Sequence, residues 1–375
     1  MKLQQIKITK EINDLPNVNF DPNLILTFGK RATLETTNMV KKITKTYPDA
    51  IVMGCSTAGQ MMGEEVLDDE SVVTLVQFEK TQLAYAEVAL NQFGGDSKKA
   101  GKALASEFKS DELKHIFVLS DGLNVNGTAL AEGMMSALAS DVAITGGLAA
   151  DGADFTKTVV IANGEVKTEV VTAVGFYGDQ LKVNYGSKGG WDSFGIDRKV
   201  TKSKENVLFE LDGEPALDLY KSFLGEKAKE LPASGLLFPL SMRFKEGVKP
   251  VVRTILGINE DDKSLTFAGD IPEGSFVRLM KANRDRLING AEDAAEAIMD
   301  QSDASPNLAI LVSCVGRKLV LKQIVEEEVE AVKDSLGHPT VTGFYSYGEL
   351  APFEQDTACA LHNQTMTITT LTEEE

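Results

Sequence analysis

Three stretches of the chain share one pattern: IVMGCSTAG ending at Gly59, AITGGLAADG ending at Gly152, and TVTGFYSYG ending at Gly348. In each, apolar or β-branched residues lead to a glycine (Gly54, Gly147, Gly343), and a second glycine closes the stretch. The surroundings repeat as well. A strand-like run precedes each pattern: LILTF from Leu24, HIFVLSD from His115, and AILVSC from Ala309. Between run and pattern lies a helix-like stretch, and a β-rich segment follows: SVVTLVQF, EVVTAVGF or HNQTMTITT. A unit that recurs at matched spacing is the mark of duplication, and it limits the fold more than any single motif does. The expected fold is α/β (α+β), built from duplicated strand–helix–strand–strand units, with mixed sheets packed together and helices outside.

The stretch from about Lys182 to Ile298 does not follow the unit. GEPALDLYKSFLGEKAKEL reads as a helix closed by Pro232. LLFPLSMRF, VVRTILGIN and SLTFAG read as strands separated by turn residues. GAEDAAEAIMDQ reads as an Ala-rich helix. This places a division near Glu210: two units in residues 1–209, then the inserted α+β segment and the third unit in 210–375.

The net charge of −18 argues against nucleic acid or an anionic membrane as the main partner, because both need a basic face. The cluster Lys281, Arg284 and Arg286 reads as a solvated helix face. No run approaches the roughly 20 apolar residues of a membrane span, and the N-terminal residues lack the apolar core of a signal peptide. Cys55, Cys314 and Cys359 are widely spaced and odd in number, which gives neither a metal spacing nor a disulfide framework. A reduced, cytoplasmic protein is expected.

The paired glycines invite comparison with a P-loop, which continues with Lys and then Ser or Thr. Here Gln60, Ala153 and Glu349 follow instead, so nucleotide hydrolysis is set aside and the glycines are read as turn formers needing positive φ. Cys55, Ser56 and Thr57 could hold a nucleophile on a sharp turn, but no base can be placed beside them; the three are counted instead among the candidate ligand-binding residues. His115 opens an apolar strand and His338 precedes Pro339 in a turn; both read as structural. Asp68, Asp69 and Glu70 read as a solvated turn.

The richest stretch is GFYSYGELAPFEQDTACALHNQTMTITT. Read as a strand, it puts His362, Gln364 and Met366 on one face and Asn363, Thr365 and Thr367 on the other. One reading is a self-satisfied polar network that pins the aromatic loop. The other is a small-ligand pocket with Phe344, Tyr345 and Tyr347 as walls and Ser346, Glu349, His362, Asn363 and Gln364 as polar partners. Arg317 is available to a ligand carboxylate, or to a salt bridge with Glu349 or with the acidic helix IVEEEVE.

GCSTAGQ, VVRTILGIN with SLTFAGDIPEGSFVRLM, SCVGRK, TGFYSYGELAP and LHNQTMTITTL together resemble the FIST sensory family over nearly the whole chain. The resemblance implies a bacterial-type cytoplasmic sensor of a small ligand, amino acids being proposed for the family. Its report would pass to a separate partner, since no kinase, cyclase or chemoreceptor module is recognisable in the sequence. A subgroup similar in architecture binds haem, senses nitric oxide and works with a histidine kinase, which keeps haem open as an alternative cofactor. Two further classes stay open: an enzyme using Cys55 or His362, and a scaffold whose glycine loops bind protein.

Overall fold

The computed structural model describes residues 1–9, 15, 16, 18–109, 111–244, 250–301, 305–352 and 358–374. In the first unit, β1 (Lys2–Ile8) is followed by β2 (Leu24–Gly29), α1 (Arg31–Thr36), α2 (Met39–Thr46) and β3 (Ile51–Ser56). The hairpin β4 (Gln60–Met62) and β5 (Glu65–Leu67) comes next, then β6 (Ser71–Gln77). The second unit repeats the order of strands, with a helix added before the parallel pair: β7 (Gln82–Ala89), α3 (Ser97–Ser106), β8 (Leu113–Ser120), α4 (Gly127–Met135), β9 (Ala143–Leu148), hairpin β10 (Val160–Ala162) and β11 (Glu165–Lys167), and β12 (Val170–Tyr177).

The third unit opens with β13 (Leu181–Lys188) and is then interrupted. Eight strands of the insertion form one sheet: β14 (Trp191–Lys204), β15 (Val207–Leu211), β16 (Glu214–Pro215), β17 (Leu240–Arg243), β18 (Val251–Arg253), β19 (Ile255–Asn259), β20 (Ser264–Phe267) and β21 (Phe276–Ala282). Helix α5 (Ala216–Leu224) packs on it through Leu217, Tyr220 and Leu224. The third unit resumes with α6 (Arg284–Met299), β22 (Leu308–Cys314), α7 (Val315–Leu321), α8 (Glu326–Ser335), β23 (Thr340–Ser346), hairpin β24 (Gly348–Pro352) and β25 (Cys359–His362), and β26 (Met366–Glu373). A division at residue 210 falls inside β15.

Each unit is built on a parallel pair joined by helix: β2 with β3, β8 with β9, β22 with β23. The last strand of each unit runs antiparallel to the first of the pair. The hairpins leave their own units. The β4–β5 hairpin extends the third unit's sheet through β23, β10–β11 extends the first through β3, and β24–β25 extends the second through β9. The result is three six-stranded mixed sheets with one strand order, closed into a ring by exchange. Leu24, Leu26 and Phe28 meet Phe117, Leu119, Leu308, Ile310 and Val312 in the core that the sheets share.

The register corrects one detail of the repeat. Gly54, Gly146 and Gly343 occupy equivalent places opposite Thr27, Val118 and Leu311, so Gly146 and not Gly147 is the second unit's glycine. Positive φ is not what these sites share, since Gly54 and Gly343 do not have it. A Cβ there would lie 1.8, 1.8 and 2.1 Å from the carbonyl oxygen of the facing residue, so only glycine permits the close approach.

Beyond their glycines the three patterns meet. Ala58 N–H donates to Tyr345 O at 2.9 Å, Ala150 N–H to Ser56 O at 2.8 Å, and Tyr347 N–H to Leu148 O at 3.3 Å. The three loops converge on one end of the ring.

Candidate functional site

The turn Asn363–Thr365 joins β25, in the second unit's sheet, to β26, in the third unit's sheet. It is not the start of a strand. Gln364 has φ +65°, in the left-handed region, so the two-residue alternation expected for HNQT does not hold. Gln364 instead points inward, donating from Nε2 to Leu236 O at 3.0 Å, while its backbone oxygen accepts from Trp191 Nε1 at 3.1 Å. His362, Asn363 and Thr365 together face a cleft of about 280 Å³, whose other walls are Ser187, Lys188, Gly189, Pro250, Val251 and Val252. The cleft therefore lies between the ring and the inserted sheet, a usual place for a small-ligand site.

The polar groups of the turn are held firmly. His362 Nε2–H donates to Ala351 O at 2.9 Å. Burial, aided by the field of Arg253, pushes the imidazole down to about 4, so the ring is neutral at physiological pH. Asn363 Nδ2 donates to His362 O at 2.9 Å and its Oδ1 accepts from Thr254 N–H at 3.4 Å. Thr365 donates to Glu349 Oε2 through both N–H (3.2 Å) and Oγ1 (3.0 Å), and Ser346 Oγ donates to Glu349 Oε1 at 2.6 Å. Glu349 is fully buried, and desolvation raises its carboxyl to about 8 against those three donors. It stands behind the turn, and it does not line the cleft.

Arg317 is not available to a ligand. Its side chain is fully buried and ion-paired with Glu328: Nη2 to Oε2 at 2.7 Å and Nε to Oε2 at 3.0 Å. The remaining donors reach Gly189 O and Leu287 O, both at 2.6 Å. Of the two alternatives to ligand binding, the acidic helix and not Glu349 takes this arginine. Its link to the cleft is indirect, through Gly189 in the wall.

The aromatic side chains are not walls of this cleft either. Phe344 is fully buried and stacks on Phe28 with centroids 4.7 Å apart. Tyr345 is buried and donates to Glu328 Oε1 at 2.7 Å. Tyr347 stacks on Phe155 and donates to the Asp151 carboxylate. It walls a different cleft of about 410 Å³, between the loop Gly122–Asn126 and the inserted sheet. β23 is a central strand with both faces covered, so its aromatics are core.

The Cys55 loop is likewise interior. Cys55 lies in the shared core, and burial holds its thiol well above the ordinary range, opposite to what a nucleophile needs. Ser56 Oγ accepts from Val159 N–H at 3.0 Å, and Thr57 Oγ1 donates to Gln60 Oε1 at 2.6 Å. The cleft residues that sequence reasoning missed are 187–189 and 250–252, among them Lys188 of β13 and Val252 of β18, distant in sequence and brought together by the insertion.

The histidines do not fit a haem. His362 spends Nε2 on Ala351 beside a cleft too small for a porphyrin, and His115 is fully buried with Nε2 at 2.9 Å from Thr145 Oγ1. His338 is exposed, 3.5 Å from Asp334. His115 Nδ1 has no hydrogen-bond partner, but its ring is sealed in the interior and lines no cleft that could admit a haem.

Comparison with known families agrees with this architecture. The FIST N domain model matches residues 23–214, and the FIST C domain model matches residues 216–352. The chain belongs to the FIST family. FIST domains are sensory domains. An uncharacterised protein of Methanocaldococcus jannaschii is 27% identical over 304 residues, covering 74% of this FIST chain and 57% of that protein. The chain thus spans little more than half the length of that relative. Among solved structures, the cyanuric acid hydrolase of A. caulinodans aligns at TM-score 0.38 and 6% identity, over 100% of this chain and 99% of that one. A second cyanuric acid hydrolase structure aligns at TM-score 0.33 and 9% identity, over 99% of each chain. At such scores neither contributes to the functional reading. No helix among the described residues is long and apolar enough to cross a membrane.

Proposed function

We propose that this FIST protein is a cytoplasmic sensor that binds a small metabolite in the cleft between the His362–Thr365 turn and the inserted sheet. It reports to a separate signalling protein, such as a histidine kinase. The observation that carries this reading is the cleft itself. It is sized for a small metabolite, and its polar residues His362, Asn363 and Thr365 are oriented from behind by Ala351, Thr254 and Glu349. Its walls come from two parts of the molecule, so a ligand that touches both favours one arrangement of them, as a report to a partner requires. The three buried thiols suit a reducing compartment.

The test is a thermal-shift screen of small metabolites against the wild-type chain and the cleft-filling variant Val252→Phe. A ligand present at about 100 times its Kd adds about 2.7 kcal/mol to wild-type stability. The reading predicts that the shift disappears in V252F. An undiminished shift in V252F moves the site elsewhere.

A further inference from the structure

Among the described residues that line the cleft, the charged one is Lys188. Lys188 is exposed at its mouth and has no ion-pair partner among the described residues. Arg253 lies behind Val252 and is 4% exposed, yet its guanidinium is held by backbone carbonyls: Nε donates to Asp270 O at 3.1 Å, and Nη1 to Val252 O at 3.1 Å and Leu361 O at 3.3 Å. The nearby Asp270 carboxylate is engaged by Asn126 Nδ2 at 2.8 Å. Among the described residues no carboxylate lines the cleft. Glu349, behind the turn, has both oxygens engaged by Ser346 and Thr365.

Two lining side chains keep donor hydrogens for a ligand. The hydroxyl of Thr365 and Nε2–H of His362 are spent on internal acceptors. Asn363 uses one Nδ2 hydrogen on His362 O and so retains the second, since an amide carries two. The ammonium of Lys188 keeps three. The cleft thus presents donors and positive field, which suits oxygen acceptors carrying negative charge. A ligand ammonium would find no carboxylate among the described lining residues and would sit beside Lys188, and like charges so placed are strongly unfavourable.

We infer that the ligand is a small carboxylate without an ammonium group, of the 2-oxo or 2-hydroxy acid class, with Lys188 meeting the carboxylate and the Asn363 amide meeting the adjacent oxygen. This rests on the cleft being the ligand site, and it departs from an amino acid as ligand.

Matched pairs test it. Pyruvate against L-alanine, and 2-oxoglutarate against L-glutamate, are titrated by calorimetry into the full chain and into Lys188→Gln, Lys188→Arg and Val252→Phe. The expected result is that an oxo acid binds, that its amino-acid counterpart binds about tenfold or more weakly, that K188Q loses affinity by a similar factor, and that K188R recovers part of it. An amino acid that binds as tightly as its oxo acid, and loses binding in V252F, overturns the inference and leaves the cleft as the site. Binding of either class that V252F leaves intact, or no heat from any of the four, overturns both.

Discussion

In the first unit Gln60 ties the turn before the last strand: its Oε1 accepts from Thr57 three residues earlier, and its Nε2 donates to the Glu70 carbonyl just before β6. In the third unit Glu349 occupies the equivalent place. Its Oε1 accepts from Ser346, three residues earlier, and its Oε2 takes both donors of Thr365, just before β26. The second unit has Val160 at this position and pins its turn with Asp121, which accepts from Glu169 N–H at 3.0 Å. One duplicated scaffold thus holds the same joint by an amide, a carboxyl and a substitute acid. Of these, only Glu349 backs a turn whose side chains open on the cleft between the ring and the inserted sheet.

The third unit differs also in what braces it. Where the first unit has Ser56 the third has Tyr345, which joins the Glu328–Arg317 pair to the glycine strand. That network is far from water and reaches Gly189 in the cleft wall. It stabilises the architecture; the turn above it provides the chemistry.

The contrast can be broken at its strongest point first. Arg317→Met leaves the Glu328 charge buried without its partner, and the expected loss is about 3–5 kcal/mol in chemical denaturation. Replacing both Arg317 and Glu328 by apolar residues should recover most of it. Glu349→Gln makes the third unit resemble the first. The wild-type carboxyl holds its proton up to about 8 when folded, against 4.5 when unfolded. The folded state therefore binds more protons between these values, so this group's contribution to stability falls as pH rises through that window and is level above it. The variant should lose that slope, at most about 1.4 kcal/mol per pH unit, in stability measured from pH 5 to 9. Tyr345→Phe removes one hydrogen bond to a buried carboxylate and should cost about 1–3 kcal/mol, with ligand binding retained. Lys188→Gln, at an exposed side chain, should change stability by less than about 0.5 kcal/mol while weakening the ligand, which separates the cleft from the brace.

The repeat was legible because each unit carries its own strand–helix–strand pattern, and the parallel pairs lie where LILTF, HIFVLSD and AILVSC place them. The exchanged hairpins were not, since strands of three residues leave little periodicity. The Asn163–Gly164 turn, with both residues at positive φ, was the one signal that could have betrayed them. At the candidate site, His362 and Asn363 stood out by composition and do face the cleft. Phe344, Tyr345 and Arg317 stood out equally and are interior, because sequence does not say that β23 is covered on both faces. The positive φ of Gln364, which turns HNQT into a corner, has no glycine or asparagine to announce it.

Hydrogen exchange read by mass spectrometry, with and without a saturating small metabolite chosen by thermal shift, tests the central claim most directly. The account predicts added protection in residues 187–189, 250–252 and 362–365, on both sides of the cleft. Protection confined to residues 122–126 and Tyr347, with the 362–365 turn unchanged, would contradict it and assign the ligand to the other cleft.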